Sequence, residues 1–265
     1  MHLLITRPEP DASAMREMLE AEGITSDVAP LLEIAVEIPD AELLSKAAAI
    51  VVTSRNGLRA LAASPLVREL FSLPLLVVGR GSGQAARSIG FLDVTVGPAT
   101  ARDLVPLILA AWRDKILPKS GSVAPGPVVH LSGDKISFDL EPTLREAGIP
   151  FVRNTVYRSR VVDRMPLDVM ETLRRSGYDG VVLMSPLTAD TYVDLIRSSG
   201  LAIGARSAAC LCLSQGIADR LAPLRVEHVI VTAKPNIEEM LALIRELAAQ
   251  SARMSSPGVR SDNTD

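Results

Sequence analysis

Short apolar runs, rich in Val, Leu and Ile, alternate along this chain with longer amphipathic stretches. A buried parallel strand reads as a near-continuous apolar run, and its crossover helix carries one apolar face, so this rhythm specifies a parallel sheet covered by helices. The first half reads as strand 2–6, helix 9–22, strand 26–29, an extended segment 31–38 and strand 49–53. Helical stretches between 55 and 70, strand 75–78, helix 82–88, strand 93–96 and helix 101–112 follow. Asp114 to Pro127, with Pro118, Pro125, Pro127, Gly121 and Gly126, reads as a loop or linker.

The second half then repeats the order. It reads as strand 128–132, helix 137–147, extended 151–161, helix 167–175, strand 180–184 and helix 187–198. Strand 208–213, helix 215–222, strand 227–231 and helix 236–250 complete it. Leu19-Glu20-Ala21-Glu22-Gly23-Ile24 returns 125 residues later as Leu144-Arg145-Glu146-Ala147-Gly148-Ile149. In each copy Gly sits where a helix C-cap takes a left-handed residue. Ser54 after one strand corresponds to Ser185 after another, and Gly79 to Ser214. The pattern predicts an internal duplication. The extended segments Pro30 to Ile38 and Phe151 to Val161 each follow the second strand of a copy and suit ribbons linking two lobes, with a ligand cleft between the lobes. The polar tail 251–265, with Pro257 and Gly258, is expected to be disordered.

Composition narrows the function classes. The 265 residues are 48% hydrophobic, enough for one large or two modest cores. A net charge of −3 with no block of five like charges, and only 3% aromatics, argues against nucleic acid as a partner. The start, Met1-His2-Leu3-Leu4-Ile5-Thr6-Arg7-Pro8, lacks a signal peptide's basic region, and no apolar run reaches bilayer length. A cytoplasmic protein without membrane contact is expected. Cys210 and Cys212, at i and i+2 of a strand, lie on one face and too far apart to bridge, so they read as buried small hydrophobes. His2, His130 and His228 form no zinc spacing with them, and no metal site is expected.

Ligands of open α/β sheets bind outside the carboxyl ends of the strands. Those ends carry Thr6-Arg7-Pro8, Thr53-Ser54-Arg55-Asn56, Gly79-Arg80-Gly81-Ser82-Gly83 and Gly97-Pro98-Ala99-Thr100. In the second half they carry Ser132-Gly133-Asp134-Lys135, Ser185-Pro186-Leu187-Thr188, Ser214-Gln215-Gly216 and Thr232-Ala233-Lys234-Pro235-Asn236. Each opens a helix whose free N–H groups and dipole favour an anion. One such end is simply a capped helix; their number suits a ligand with several carboxylates or phosphates. The Gly79 run fails as a dinucleotide loop, because Gln84 stands at the third glycine position and Val96-Gly97 supplies no acidic residue. Walker and G-x-S-x-G motifs are absent, and no histidine ends a strand, so strong covalent catalysis is not expected. Tyr157, in Asn154-Thr155-Val156-Tyr157-Arg158, lies on the second ribbon. Its phenol either packs the lobe junction or gives a hydrogen bond or proton to a leaving group; the residues leave both open.

Together these segments resemble the uroporphyrinogen-III synthase family. The resemblance rests on Thr6-Arg7-Pro8-Glu9-Pro10, Val52-Thr53-Ser54-Arg55-Asn56-Gly57, Val78-Gly79-Arg80-Gly81-Ser82 and Leu131-Ser132-Gly133-Asp134. It continues through Val156-Tyr157-Arg158, Met184-Ser185-Pro186-Leu187-Thr188-Ala189 and Leu213-Ser214, covering about 1–250. It implies two Rossmann/flavodoxin-like parallel-sheet domains, duplicated and swapped, joined by a two-stranded β ribbon: one of 1–33 plus 163–250, the other of 38–158. It implies a lyase that closes hydroxymethylbilane, a linear tetrapyrrole lined with carboxylates, into uroporphyrinogen III. Water is lost and the terminal pyrrole inverts through a spiro intermediate, with no metal or organic cofactor.

By this resemblance Tyr157 assists departure of the hydroxyl. The substrate-binding candidates are Arg7, Thr53, Ser54, Gly79, Ser82, Ser132, Gly133, Ser185, Thr188 and Ser214. Arg7, Arg55 and Arg80 read equally as surface ion pairs. The chain departs from the family at Ser82-Gly83, where Thr-Ala is usual, and Ser keeps the hydroxyl. Ser214-Gln215-Gly216-Ile217 lacks a threonine some members carry, so no role passes to Gly216 or Ile217. A monomer is expected, with transient contact to the preceding pathway enzyme. Two rivals share these features: a non-catalytic two-lobed sensor for a polyanion, and another α/β transferase acting on a phosphorylated sugar or nucleotide.

Overall fold

The computed structural model describes residues 1–114 and 126–255. In chain order the first elements are β1 (His2–Ile5), α1 (Asp11–Glu20), β2 (Thr25–Val28), β3 (Leu32–Val36), α2 (Ala41–Ser45) and β4 (Ala49–Val52). Then come α3 (Arg55–Ala62), β5 (Leu75–Val78), α4 (Arg80–Ile89), β6 (Val94–Gly97) and α5 (Leu104–Arg113). The second half opens with β7 (Val128–Gly133), α6 (Glu141–Glu146), β8 (Phe151–Val161), α7 (Leu167–Arg174) and β9 (Gly180–Leu183). It continues with α8 (Pro186–Ser198), α9 (Ala202–Arg206), β10 (Ala209–Cys212), α10 (Gln215–Ala218), β11 (Val229–Val231) and α11 (Ile237–Ser255). Residue contacts divide the chain into two units. One joins Met1–Glu33 to the described residues from Arg160 onward; the other is Ile34–Ser159.

In the first unit five strands lie in the order β11-β10-β9-β1-β2, with every pair parallel. The chain steps from β1 to β2, leaves, and returns on the other side of β1 to step outward through β9, β10 and β11. The second unit repeats that path around β7. Its six strands run β3-β8-β7-β4-β5-β6, so β7 and β8 occupy the places of β1 and β2, and β4, β5 and β6 those of β9, β10 and β11. Each sheet therefore takes the first two strands of one repeat and the last three of the other, and the six-stranded sheet adds β3 at its edge. The matched helix ends agree in detail. Gly23 and Gly148 have φ of +74° and +72°, and Ile24 N–H and Ile149 N–H donate to the carbonyls of Leu19 and Leu144 at 3.0 and 2.9 Å. Ser54 and Ser185 are both N-caps in extended conformation. Gly79 and Ser214 correspond in place but not in backbone, with φ of +79° and −158°.

Side-chain alternation along each strand builds two cores per sheet. Leu3 and Ile5 pack with Met15, Leu19 and Ile244 of α1 and α11, while Leu4 joins Tyr192 and Ile196 of α8 and the cysteines on the opposite face. In the second unit Ile50, Val52, Val129 and Leu131 meet α3 and α4. Ala49, Val51 and Val128 meet Leu104, Ile108 and Leu144 of α5 and α6. Cys210 and Cys212 are free thiols in the core, and burial pushes both up to about 12. Glu37 N–H donates to the Val156 carbonyl at 2.8 Å where the chain passes β8.

Several segments differ from the sequence reading, which gave neither of the short helices α2 and α9. The final helix, expected to stop at 250, runs to Ser255, so the first five residues assigned to a disordered tail are helical. Ala248, Ala249 and Ala252 favour helix, and no breaker intervenes before Pro257. Residues 256–265 lie outside the described residues, as do 115–125 of the expected loop. The helix expected from 137 begins at Glu141, because Asp139 Oδ1 accepts from Glu141 N–H and Pro142 occupies the first turn. The helix expected over 215–222 is only α10, and a 3-10 stretch containing Pro223 follows it.

Candidate active site

The second unit has its topological switch between β7 and β4, whose next neighbours, β8 and β5, lie on opposite sides. Crevices at the carboxyl ends of such strands are the usual ligand sites of open α/β sheets. A cleft of about 310 Å³ opens there. Thr53 and Ser54 after β4, Val78 at the end of β5 and Ala99–Ala101 after β6 form one side. Lys135–Phe138 after β7 and Tyr157 on β8 form the other. The late start of α6 leaves residues 135–138 free to line it.

A β-bulge places Tyr157. Ser132 pairs with Thr155, but the next residue, Gly133, pairs with Tyr157, so β8 carries one extra residue. Asp134 fixes the bend: its N–H donates to the Tyr157 carbonyl at 3.1 Å, and its carboxylate accepts from Ser159 N–H at 3.2 Å. Val156 drops into the core, and the half-buried Tyr157 ring lies against Gly133. A Cβ on Gly133 would stand 2.5 Å from the ring's Cε2 and 3.0 Å from its hydroxyl. Only glycine leaves that space.

Thr53 lies one residue beyond β4, on the face shared with Val51. Its Oγ1 is 3.2 Å from Nε2 of His130, the buried third residue of β7, directly across from Val51. Burial first, and the Arg153 guanidinium second, push this imidazole down to about 4, against an upward pull from Asp139. The ring is therefore neutral at physiological pH. Ser54 caps α3 by accepting from Asn56 N–H at 3.2 Å. Lys135 is exposed at the cleft and makes no ion pair among the described residues. Arg102 sits 5.0 Å from the centre of the Phe138 ring, bringing a second cation alongside. On the far wall, hydrogen bonds from the Thr100 N–H and hydroxyl hold the Asp103 carboxyl below its usual range. The cleft thus combines hydroxyls, a helix N-terminus, a lysine and one phenol, a set suited to a carboxylate-bearing organic ligand.

A model of the family described as uroporphyrinogen-III synthase HemD matches residues 13–242. The chain belongs to the uroporphyrinogen-III synthase family. Two solved structures share the fold. Uroporphyrinogen-III synthetase from Helicobacter pylori 26695 aligns over 93% of this chain and 99% of its own, with 16% identity and a TM-score of 0.60. A mutant uroporphyrinogen III synthase from the extremely thermophilic bacterium Thermus thermophilus aligns over 94% and 99%, with 18% identity and a TM-score of 0.51. No curated protein matches.

Within this uroporphyrinogen-III synthase framework the predicted site residues divide between the units. Thr53, Ser54 and Tyr157 line the cleft of the second unit, and Gly133 supports the phenol. Ser132 is buried beneath, its hydroxyl donating to the Gly133 carbonyl at 3.1 Å. Gly79 is the N-cap of α4 and Ser82 lies in that helix's first turn; neither lines the cleft. The other four belong to the carboxyl end of the five-stranded sheet. Arg7 is buried and pairs with Asp11 at 3.3 Å. Ser185 caps α8 through Thr188 N–H at 3.1 Å, with the two hydroxyls 2.7 Å apart, and Ser214 opens α10. The sequence reading gave Lys135, Phe138 and Thr100 no role of their own and weighed His130 only as a metal ligand. Lys135 and Thr100 stood within the quoted strand-end segments, which was their only signal. Among the described residues no cluster of His, Cys, Asp and Glu suits a metal, and no helix is long and apolar enough to cross a membrane.

Proposed function

We propose that this chain is a cyclising lyase that converts hydroxymethylbilane to uroporphyrinogen III, with the Tyr157 phenol assisting the departure of the terminal hydroxyl. The observation that supports it is the phenol held over Gly133 in a cleft walled by Thr53, Ser54 and Lys135. The phenol donates to the leaving hydroxyl as the C–O bond breaks, and water departs. The electron-rich pyrroles supply the electrons, so the cation left behind is stabilised by the substrate itself. Attack of the terminal pyrrole through its substituted carbon gives the spiro intermediate, which reopens and closes with that ring inverted, and a ring proton is lost. Product equals substrate minus water, so no oxidant or reductant enters the balance.

The protein's part is to hold a flexible chain so that this closure outruns spontaneous cyclisation. Hydroxyls of Thr53 and Ser54, the amides of α3's first turn and the Lys135 ammonium are the proposed carboxylate contacts in the second unit. Arg7, Ser185, Thr188 and Ser214 are proposed contacts in the first, with Gly79, Ser82 and Ser132 shaping the strand ends. On this reading the enzyme works as a cytoplasmic monomer, receiving an unstable substrate from the preceding enzyme. The test supplies freshly made hydroxymethylbilane and separates isomers. Type III product is expected; type I alone, at the spontaneous rate, overturns the function. Unchanged turnover in Tyr157→Phe would remove that residue from the mechanism.

A further inference from the structure

We propose that His130 is a positioning residue that holds the Thr53 hydroxyl with its proton directed into the cleft, ready for a substrate carboxylate. The inference rests on the function proposed above. His130 is 1% exposed in a strand whose neighbours Val128, Val129 and Leu131 are wholly buried hydrophobes. An aliphatic residue would fill that place without the cost of burying a polar ring. Its ring makes one side-chain hydrogen bond among the described residues, to Thr53. Thr53 in turn stands at the cleft mouth of the neighbouring strand.

The tautomer decides what Thr53 presents. A hydroxyl has one proton to give and lone pairs to accept with. If Nε2 is bare, Thr53 must donate inward and shows the cleft only lone pairs, which repel a carboxylate. If Nε2 carries the proton, it donates to Oγ1 and leaves the hydroxyl proton for the ligand. An anionic ligand therefore favours the Nε2–H form. The ring stays neutral for this purpose because burial and Arg153 outweigh Asp139, so it has one proton to place rather than two.

Two measurements test this. Ring-nitrogen chemical shifts of His130 in the free protein should show Nε2 protonated and Nδ1 bare; the opposite tautomer overturns the proposal. This arm does not depend on turnover, so it stands apart from any failure of the proposed reaction. In steady-state kinetics with hydroxymethylbilane, His130→Leu should raise KM on the order of tenfold with a smaller change in kcat. His130→Gln, which keeps an amide donor, should recover most of that loss. In a Thr53→Val background His130→Leu should change KM by less than about twofold, because a residue acting through Thr53 loses its effect with it. Unchanged KM in His130→Leu, or effects that multiply in the double variant, overturns the proposal. Should the Leu variant fail to fold, the Gln variant and the tautomer measurement still decide.

Discussion

Replacing Gly133 by alanine should disable Tyr157 while leaving that residue itself unchanged. Gly133 does not have a left-handed φ, so contact alone opposes the substitution. The added Cβ would lie 2.5 Å from Cε2, 2.7 Å from Cζ and 3.0 Å from the phenol oxygen. Ordinary carbon contacts are about 3.5–4.0 Å, so the ring must retreat by about 1 Å. Overpacking of this kind costs about 1–3 kcal/mol, and a half-buried ring with solvent on one side belongs at the lower end. Catalysis should suffer more than stability. A displacement of about 1 Å at a reacting group can cost about a hundredfold in rate, comparable with the roughly 10²–10⁴-fold carried by a positioned proton donor. Gly133→Ala and Tyr157→Phe should therefore lower kcat for hydroxymethylbilane to similar levels. Thermal unfolding should show Gly133→Ala folded, and combining the two should add little to either. A Gly133→Ala enzyme within about threefold of the parent kcat, or losses that multiply in the double variant, would refute the reasoning.

Other consequences follow from single buried contacts. The His130 imidazole titrates near 4 in the folded chain against 6.5 ordinarily, so the unfolded chain takes up the proton first as pH falls. Stability present above pH 6.5 is lost towards pH 4, amounting to about 2 kcal/mol at about pH 5; denaturant titrations of parent and His130→Leu near neutrality and near pH 5 should differ in slope with pH, and identical dependence would count against it. The Tyr192 hydroxyl is buried with no partner among the described residues, so Tyr192→Phe should stabilise by about 1 kcal/mol and raise Tm by a few degrees; a lower Tm would contradict this. Gly57→Ala gains about 1 kcal/mol of helix propensity, but its Cβ would meet Val52 Cγ1 at 2.8 Å and the Leu131 carbonyl oxygen at 2.9 Å. Backbone cannot yield cheaply, so a net loss of about 1 kcal/mol is expected in denaturant titration, and a stabilised variant would show the helix free to lift.

The strand–helix rhythm was legible because a buried parallel strand has little freedom in composition. Ala49-Ile50-Val51-Val52 and Gly180-Val181-Val182-Leu183 sit between helices on both faces, and only apolar residues satisfy both sides. The repeat was legible where backbone conformation demands a residue type: Gly23 and Gly148 hold the same left-handed turn. Gly79 and Ser214 show the limit. Their places match, but one copy has moved to a positive φ that serine would adopt only under strain, and sequence alignment cannot show which backbone each copy uses. The helix boundaries failed where side chains intervene locally. Asp139 caps Glu141 and delays α6, and Pro223 turns the end of the helix after Ser214 into a 3-10 stretch.

The site was half legible for a related reason. Thr53 and Ser54 end a strand and open a helix, so their place at the cleft follows from the βα pattern alone. The partner beneath them does not. His130 is separated from Thr53 by 77 residues and reaches it only because β7 inserts beside β4, a pairing between repeats that no local signal encodes. Tyr157 posed the harder problem. Unbroken pairing after Ser132 with Thr155 would set Val156 opposite Gly133 and turn the phenol to the other face. The extra residue in β8 leaves Val156 in the core with Leu131 and brings Tyr157 onto that same face, its ring over Gly133. The Ser-Gly-Asp segment and the Val-Tyr-Arg segment, well apart in sequence, therefore form one device. Asp134 fixes the bulge, the bulge aims the phenol, and Gly133 leaves it room. On the proposed role of Tyr157, substitutions at Asp134 or Gly133 should therefore lower kcat for hydroxymethylbilane much as Tyr157→Phe does, and an Asp134→Ala enzyme with the parent kcat would count against the device.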